Sequence, residues 1–292
     1  MTAPLHPPLD FMVIGAIKAA TTWLQVQLQN HPRAFMPDIE PHFFSRDHGK
    51  DWSWYRGLFP DRKTEGTLWG EKTADYLANT EAAARIAAAY PDIKVVVQFR
   101  NPVERAYSDY KMLFRRGLVG GDVAAYLDAR QAEMPRFLYN GRYAHHLARW
   151  LEHFERGQIL AFLFEDVKHD PQAMLARTCR HLGLPPHYDD TLAARSQNDS
   201  SERFLPLPVR RALAPLKPLA KPLRGLAWFE KTRSIFAREI DYPALDDDLR
   251  ARLQDFYRDD IRALERLIGR DLSHWLQPAA QQRGLTTCAV LA

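Results

Sequence analysis

Cysteine is nearly absent: Cys179 and Cys288 are the only two in 292 residues. One falls in a helical pattern and the other close to the last residue, so a disulfide framework is excluded as the source of stability. Long apolar runs are missing too. The longest, such as Phe11 to Ile17 and Val95 to Val97, are strand-sized and far short of the ~20 residues a membrane-spanning helix needs. Met1 to Asp10 holds no basic stretch followed by an apolar one, so no secretory leader is read there. These absences lead to the expectation of a soluble protein in the reducing cytoplasm. Repeats, His/Cys/Asp/Glu groups with zinc or calcium spacing, and nucleic-acid recognition motifs are also missing, so no metal and no nucleic-acid partner is expected. The sequence is silent on oligomeric state.

A large excess of one charge is lacking as well, since 40 Lys and Arg face 36 Asp and Glu, a net of +4. The balance is uneven. Arg203 to Arg238 holds nine Lys or Arg and one acid, a net of +8, which leaves about 4 − 8 = −4 on the rest. A basic stretch interleaved with Leu213, Leu216, Leu219, Leu223, Leu226, Trp228 and Phe229 suits an anionic partner. It could lie on an anionic membrane surface, cap a bound anion, or line an acceptor cleft.

Strand and helix patterns alternate through the first two thirds. Asp10–Ile14, Thr67–Gly70, Ile93–Phe99 and Gln158–Phe164 read as strands. Thr21–Gln29, Glu81–Ala89, Val103–Arg116, Tyr143–Phe154 and Pro171–Leu182 read as helices. Strands separated by helices pair in parallel, and near-continuous apolar strands belong to a sheet covered on both faces. The fold class is therefore α/β, a three-layer fold with a central parallel sheet flanked by helices. Five prolines between Leu205 and Arg224 break any helix there. Asp246 to Ile268 then reads as one amphipathic helix with Leu249, Leu253, Phe256, Ile261, Leu264 and Ile268 on its apolar face. The chain reads as one domain over 1–292, with a basic Pro-rich segment over 203–238 and a C-terminal helical part over 246–275.

The sharpest local signal is Gly15-Ala16-Ile17-Lys18-Ala19-Ala20-Thr21-Thr22-Trp23, between the first strand and the first helix. Backbone N–H groups at a helix N-terminus bind phosphate, and small residues let the backbone approach it. Lys18 adds a full charge; Thr21 and Thr22 add hydroxyls. A nucleoside-triphosphate loop places its Lys directly before the Ser or Thr. Here Lys18 lies three residues before Thr21, so it reaches a different atom. The plainer alternative is a tight turn with a Thr cap and a solvated Lys. A second anion site follows the clearest strand: Arg100 stands at its carboxyl end, where ligands of open parallel sheets sit, and Ser108 lies two turns into the next helix. The plainer alternative pairs Arg100 with Glu104 or Asp109. Two such strand ends together suggest a nucleotide carrying phosphates at two separate positions.

These residues resemble the sulfotransferases that use 3′-phosphoadenosine-5′-phosphosulfate (PAPS), closest to the branch with the heparan sulfate and bacterial enzymes. The likeness is carried by IGAIKAATTWL, by Glu40-Pro-His-Phe-Phe44, by Glu71-Lys-Thr73 with Tyr76, and by Phe99-Arg-Asn-Pro to Ser108. Gly141-Arg-Tyr143 to Trp150 and Ile268 to Trp275 extend it over about residues 9 to 275. The resemblance implies a P-loop-like fold and sulfuryl transfer from PAPS to a hydroxyl or amine of a carbohydrate or other small acceptor, leaving 3′-phosphoadenosine-5′-phosphate. It implies that Lys18 stabilises the leaving-group oxygen, that Thr21 and Thr22 hold the 5′-phosphate, and that Arg100 and Ser108 hold the 3′-phosphate. Trp23 would lie near the adenine, and Lys72 would contact the sulfuryl oxygens or orient the acceptor. Glu40 is the first choice of general base, provided the adjacent Phe43 and Phe44 make its surroundings apolar; His42 is its rival. Where the family has Gly, this chain has Ala20, which a positive φ would strain. No confident match to the family's C-terminal basic cluster is found, and Arg203 or Lys231 would have to substitute. Two other functions stay open: a nucleotide or small-molecule kinase on a related fold, and a binding protein without turnover.

Overall fold

The computed structural model describes residues 6–195 and 240–278. The basic segment 203–238, with Arg203 and Lys231, and Cys288 lie outside the described residues. Among the described residues there are five parallel strands: β1 (Phe11–Gly15), β2 (Ala34–Phe35), β3 (Leu68–Lys72), β4 (Lys94–Phe99) and β5 (Ile159–Leu163). Their order across the sheet is β2-β3-β1-β4-β5. The helices are α1 (Thr21–Gln29), α2 (Trp52–Arg56), α3 (Ala82–Ala89), α4 (Pro102–Arg116), α5 (Ala124–Leu127), α6 (Arg136–Tyr139), α7 (Tyr143–Leu151), α8 (Phe164–His169), α9 (Pro171–Leu182), α10 (Asp190–Arg195) and α11 (Asp247–Ile268). This is the expected α/β architecture, a parallel sheet with helices on both faces.

Strand alternation sorts the apolar side chains into two cores. Met12 and Ile14 of β1 and Val95, Val97 and Phe99 of β4 belong to the larger one, together with Ile86 of α3, Tyr110 of α4, Leu147 and Trp150 of α7 and Leu264 of α11. Phe11, Val13, Val96 and Phe162 point into the second, against Trp23, Leu24 and Leu28 of α1 and Leu175 and Cys179 of α9. All five residues of β1 are buried, as a central parallel strand must be. Phe11 pairs with Gly70 in register. A Cβ on Gly70 would stand 2.3 Å from the Phe11 ring, so only glycine lets that ring cross the neighbouring strand.

Several expectations are refined. The short strand β2 lies in a stretch to which the sequence assigns no element. β3 runs two residues further than expected and so places Glu71 and Lys72 on opposite faces of the sheet. Phe164 opens α8 rather than closing β5, and α7 stops at Leu151, although Phe154 stays buried. In α11, Phe256 is 41% exposed and Tyr257 is fully buried in its place. The buried set Leu249, Leu253, Tyr257, Ile261 and Leu264 follows three- and four-residue steps, which keeps one stripe against the core. The Tyr257 hydroxyl donates to the Leu138 carbonyl at 2.9 Å, so the polar end of the ring is satisfied where Phe could not be.

Candidate active site

Strand order reverses beside β1: the chain goes to β3 on one side and later to β4 on the other. The crevice beyond the carboxyl ends of such strands is where open parallel sheets take ligands. Three segments meet there, namely Gly15–Trp23 after β1, Lys72–Tyr76 at the end of β3, and Arg100–Ser108 after β4.

The first is a tight loop. Gly15 has φ 147°, and a Cβ there would meet the Ala74 carbonyl oxygen at 2.8 Å. Ala16 donates its N–H to the Gln98 carbonyl (2.7 Å) and Ala19 to Ala16 (3.2 Å). Lys18 and Ala20 both take the left-handed conformation, at φ 69° and 65°. Trp23 and Leu24 donate back to the Ala20 carbonyl, at 3.0 and 3.4 Å. Among the described residues, no backbone acceptor serves the amides of Lys18, Ala20, Thr21 and Thr22. These orphan donors, at the positive end of α1, are what an anion needs. Trp23 is 6% exposed and packs in the second core. Ala16 and Ala19 are buried in the larger core, and Ile17 is half-buried.

Among the described residues, the Lys18 ammonium has only the Met112 sulfur, at 3.9 Å, as a hydrogen-bond partner. Burial pushes its pKa down; Asp109 opposes this, while Arg115, Arg100 and Arg116 push the same way. Arg100 reaches the loop directly, its Nη1 donating to the Lys18 carbonyl at 3.1 Å, and its guanidinium lies 4.7 Å over the Phe164 ring. Burial lowers its pKa as well. The carboxylates expected to neutralise Arg100 are engaged elsewhere: Glu104 pairs with Arg250, and Asp109 with Arg105 and Arg136. Arg100 makes no ion pair among the described residues. Ser108 is half-buried in α4, and its hydroxyl has no hydrogen-bond partner among the described residues. Lys18 and Arg100 are half-buried side by side, with Asp109 acting on the first and Glu104 and Glu165 on the second, yet neither is in an ion pair among the described residues, an arrangement that suits an anionic ligand.

Across the crevice, the Glu40 segment lies on the end of β3. Lys72 is 3% exposed and donates to Glu40 Oε1 at 2.6 Å. The Ala74 amide donates to Glu40 Oε2 at 3.0 Å. Both Glu40 oxygens are thus engaged. Its expected apolar surroundings are absent, because Phe43 and Phe44 turn into the core among Trp52, Tyr55 and Tyr76. His42 has φ 53°, and its Nδ1 lies 2.9 Å from Asp75 Oδ2. A carboxylate at Nδ1 holds the proton there and leaves Nε2 as the acceptor, a tautomer assigned from this contact. Lys72 does not pair with Glu71, which is wholly buried on the other face. Burial pushes the Glu71 carboxyl up to about 7, against hydrogen bonds from Tyr55, Thr73 and Tyr76 that lower it.

Asp75 and the buried Glu71 were not singled out as site residues from the sequence. Strict alternation carried to the end of β3 would have separated Glu71 from Lys72; nothing local points to Asp75, 33 residues from its histidine.

Comparison with known proteins bears on this arrangement. The description "Sulfotransferase family" matches residues 42–190, just over half of the chain. The chain belongs to the sulfotransferase family. The matched span of this sulfotransferase-family chain holds His42, Lys72, Arg100 and Ser108, whereas Lys18 and Glu40 precede it. The mouse heparan sulfate glucosamine 3-O-sulfotransferase 3A1 is 38% identical over 178 residues, covering 59% of this chain and 45% of the relative. The bifunctional heparan sulfate N-deacetylase/N-sulfotransferase 1 of Caenorhabditis briggsae is 32% identical over 197 residues, 60% of this chain and 23% of that protein. The chain thus spans about half the length, or less, of these curated relatives. A crystal structure of a sulfotransferase from Alicyclobacillus acidocaldarius superposes with a TM-score of 0.67 at 26% identity, covering 93% of this chain and all of that one.

Proposed function

We propose that this chain transfers a sulfuryl group from PAPS to a hydroxyl or amine of a carbohydrate acceptor. The single observation that carries the reading is the pairing of Lys18 and Arg100, neither in an ion pair among the described residues, at two adjoining strand ends, joined by the 3.1 Å bond from Arg100 to the Lys18 carbonyl. A nucleotide with phosphates on both its 5′ and 3′ positions presents one anion to each. Thr21, Thr22 and the free amides of the loop would take the 5′-phosphate, and Arg100 with Ser108 the 3′-phosphate. Lys18 would neutralise the charge that develops on the leaving oxygen, the term that dominates in-line transfer. Lys72, held by Glu40, would face the sulfuryl oxygens. Proton removal from the acceptor falls to His42, since its Nε2 has no partner among the described residues while both Glu40 oxygens are engaged. Glu40 then positions Lys72. The sugar acceptor rests on the likeness to the glucosamine 3-O-sulfotransferases.

The test is calorimetry with adenosine 3′,5′-bisphosphate, followed by turnover of labelled PAPS over a panel of sugar acceptors. Lys18→Ala and Arg100→Ala should each weaken nucleotide binding roughly 10- to 100-fold, the loss of a charge-assisted bond of about 1.5–3 kcal/mol. Wild-type affinity in both variants would overturn the reading. His42→Gln should lower kcat on the order of 10²–10⁴-fold; if only Glu40→Gln does so, Glu40 is the base. A kinase is disfavoured by the three-residue spacing of Lys18 and Thr21, and ATP turnover requiring magnesium would restore it. The segment 203–238 is proposed to select the acceptor. Exchange for a relative's segment should change acceptor preference and leave nucleotide affinity alone; preference that survives the exchange counts against it. A cytoplasmic location is proposed on the buried free thiol of Cys179, and recovery of the chain from an exported or membrane fraction would contradict it.

A further inference from the structure

We infer that Glu71 is a positioning residue for the transfer, a buried carboxyl that holds the His42 segment in its active shape through two hydroxyl relays. The inference rests on the reading of His42 and Glu40 given above. Glu71 is 0% exposed, on the face of β3 opposite Lys72. Its Oε2 accepts from the Thr73 hydroxyl at 2.9 Å, and the Thr73 oxygen accepts in turn from the backbone N–H of His42 at 3.3 Å. Its Oε1 accepts from the Tyr76 hydroxyl at 3.0 Å, and the Tyr76 oxygen accepts from the N–H of Phe44 at 3.2 Å. A third hydroxyl, Tyr55, donates to Oε1 at 2.6 Å and passes nothing on to the segment.

Each relay works because a hydroxyl has one proton and free lone pairs. In its ionised form the Glu71 carboxyl can only accept, so it accepts the hydroxyl hydrogens of Thr73 and Tyr76 and leaves their lone pairs facing the two amides. Without it, either hydroxyl could rotate to other acceptors and leave a buried amide unmet. What the relays hold is strained. His42 sits at φ 53°, a conformation a histidine keeps only where its surroundings dictate it. The flanking contacts, Lys72 and Ala74 to Glu40 and Asp75 to the His42 ring, come from the same turn of chain. Glu71 thus fixes the Glu40–Phe44 segment and the end of β3 as one unit, with no contact to the transferring group.

The experiment measures kcat, acceptor KM and bisphosphate Kd for Glu71→Gln, Thr73→Val and Tyr76→Phe, with Tyr55→Phe as control. The three relay variants should lose about 10- to 100-fold in kcat, the scale of a small misplacement of a catalytic group. Their bisphosphate Kd should stay within about twofold of wild type, because the loop after β1 and Arg100 are untouched. Tyr55→Phe should lose stability with little change in kcat. Thermal melting identifies any variant that fails to fold; if Glu71→Gln does, Thr73→Val and Tyr76→Phe, which keep the carboxyl, decide. Wild-type kcat in both folded relay variants, or an equal loss in Tyr55→Phe, overturns the inference. Failure of the wild-type chain to bind the bisphosphate at all would instead overturn the reading on which it rests.

Discussion

Ala20 sits at φ 65° and ψ 24°, where a Cβ crowds its own carbonyl. Relief of that crowding by Ala20→Gly is worth about 1–2 kcal/mol, and the extra freedom of glycine in the unfolded chain takes back about 0.5–1. The first term wins, so Ala20→Gly should raise the urea midpoint slightly, by ~0.5–1 kcal/mol of stability; a lower midpoint contradicts the left-handed assignment. Glu71 makes the opposite kind of statement, about pH. Its carboxyl titrates near 4.5 in an unfolded chain and at about 7 when buried. Between those values the folded state keeps a proton the unfolded state has released. The unfolding free energy therefore falls as pH rises through that window and levels off above it. Denaturant titrations below and above the window should show this decline in the wild type and lack it in Glu71→Gln. An equal slope in both would place the buried titration elsewhere.

At the scale of an element, α4 shows how local sequence rules serve the site. Asn101 precedes Pro102 and accepts from the amides of Val103 (3.0 Å) and Glu104 (3.4 Å), while its own amide donates to the Trp275 carbonyl at 3.4 Å. The cap, the proline at the first helical position and Gly117 at the far end are all signals visible in sequence; the sequence reads as helix over Val103–Arg116, and the helix begins one residue earlier, at Pro102. What was not visible is that the cap also ties the end of β4 to the C-terminal part of the chain. Asn101→Ala should lower stability by about 1–2 kcal/mol and weaken bisphosphate binding, since Arg100 is the adjoining residue. A calorimetric Kd unchanged in a destabilised variant would show that the cap does not set the guanidinium. β3 is the contrasting case. Its last two residues, Glu71 and Lys72, are charged and lie beyond the strand read over Thr67–Gly70, yet the strand continues because hydroxyls and Glu40 satisfy both groups.

Over the whole molecule, the long C-terminal helix α11 is part of the packing and not an appendage to it. Leu264 is fully buried in the larger core. Leu264→Ala should cost about 2–5 kcal/mol, seen as a lower denaturant midpoint for the entire transition; a loss under ~1 kcal/mol would mean that the helix packs loosely. The sequence by itself determined the α/β architecture, the small-residue loop Gly15–Thr22 and the position of Arg100 at a strand end, the two places proposed to bind the nucleotide, because strand and helix periodicity, caps and loop composition act over a few residues. Only the tertiary structure decided which charges meet. It left Arg100 without the partners Glu104 and Asp109 nearby in sequence, set Lys72 against Glu40, His42 against Asp75 and Glu71 among three hydroxyls, and turned Trp23 inward. Those outcomes depend on which segments the sheet order brings side by side, and the energy of a buried charge is fixed by neighbours that lie tens of residues away along the chain.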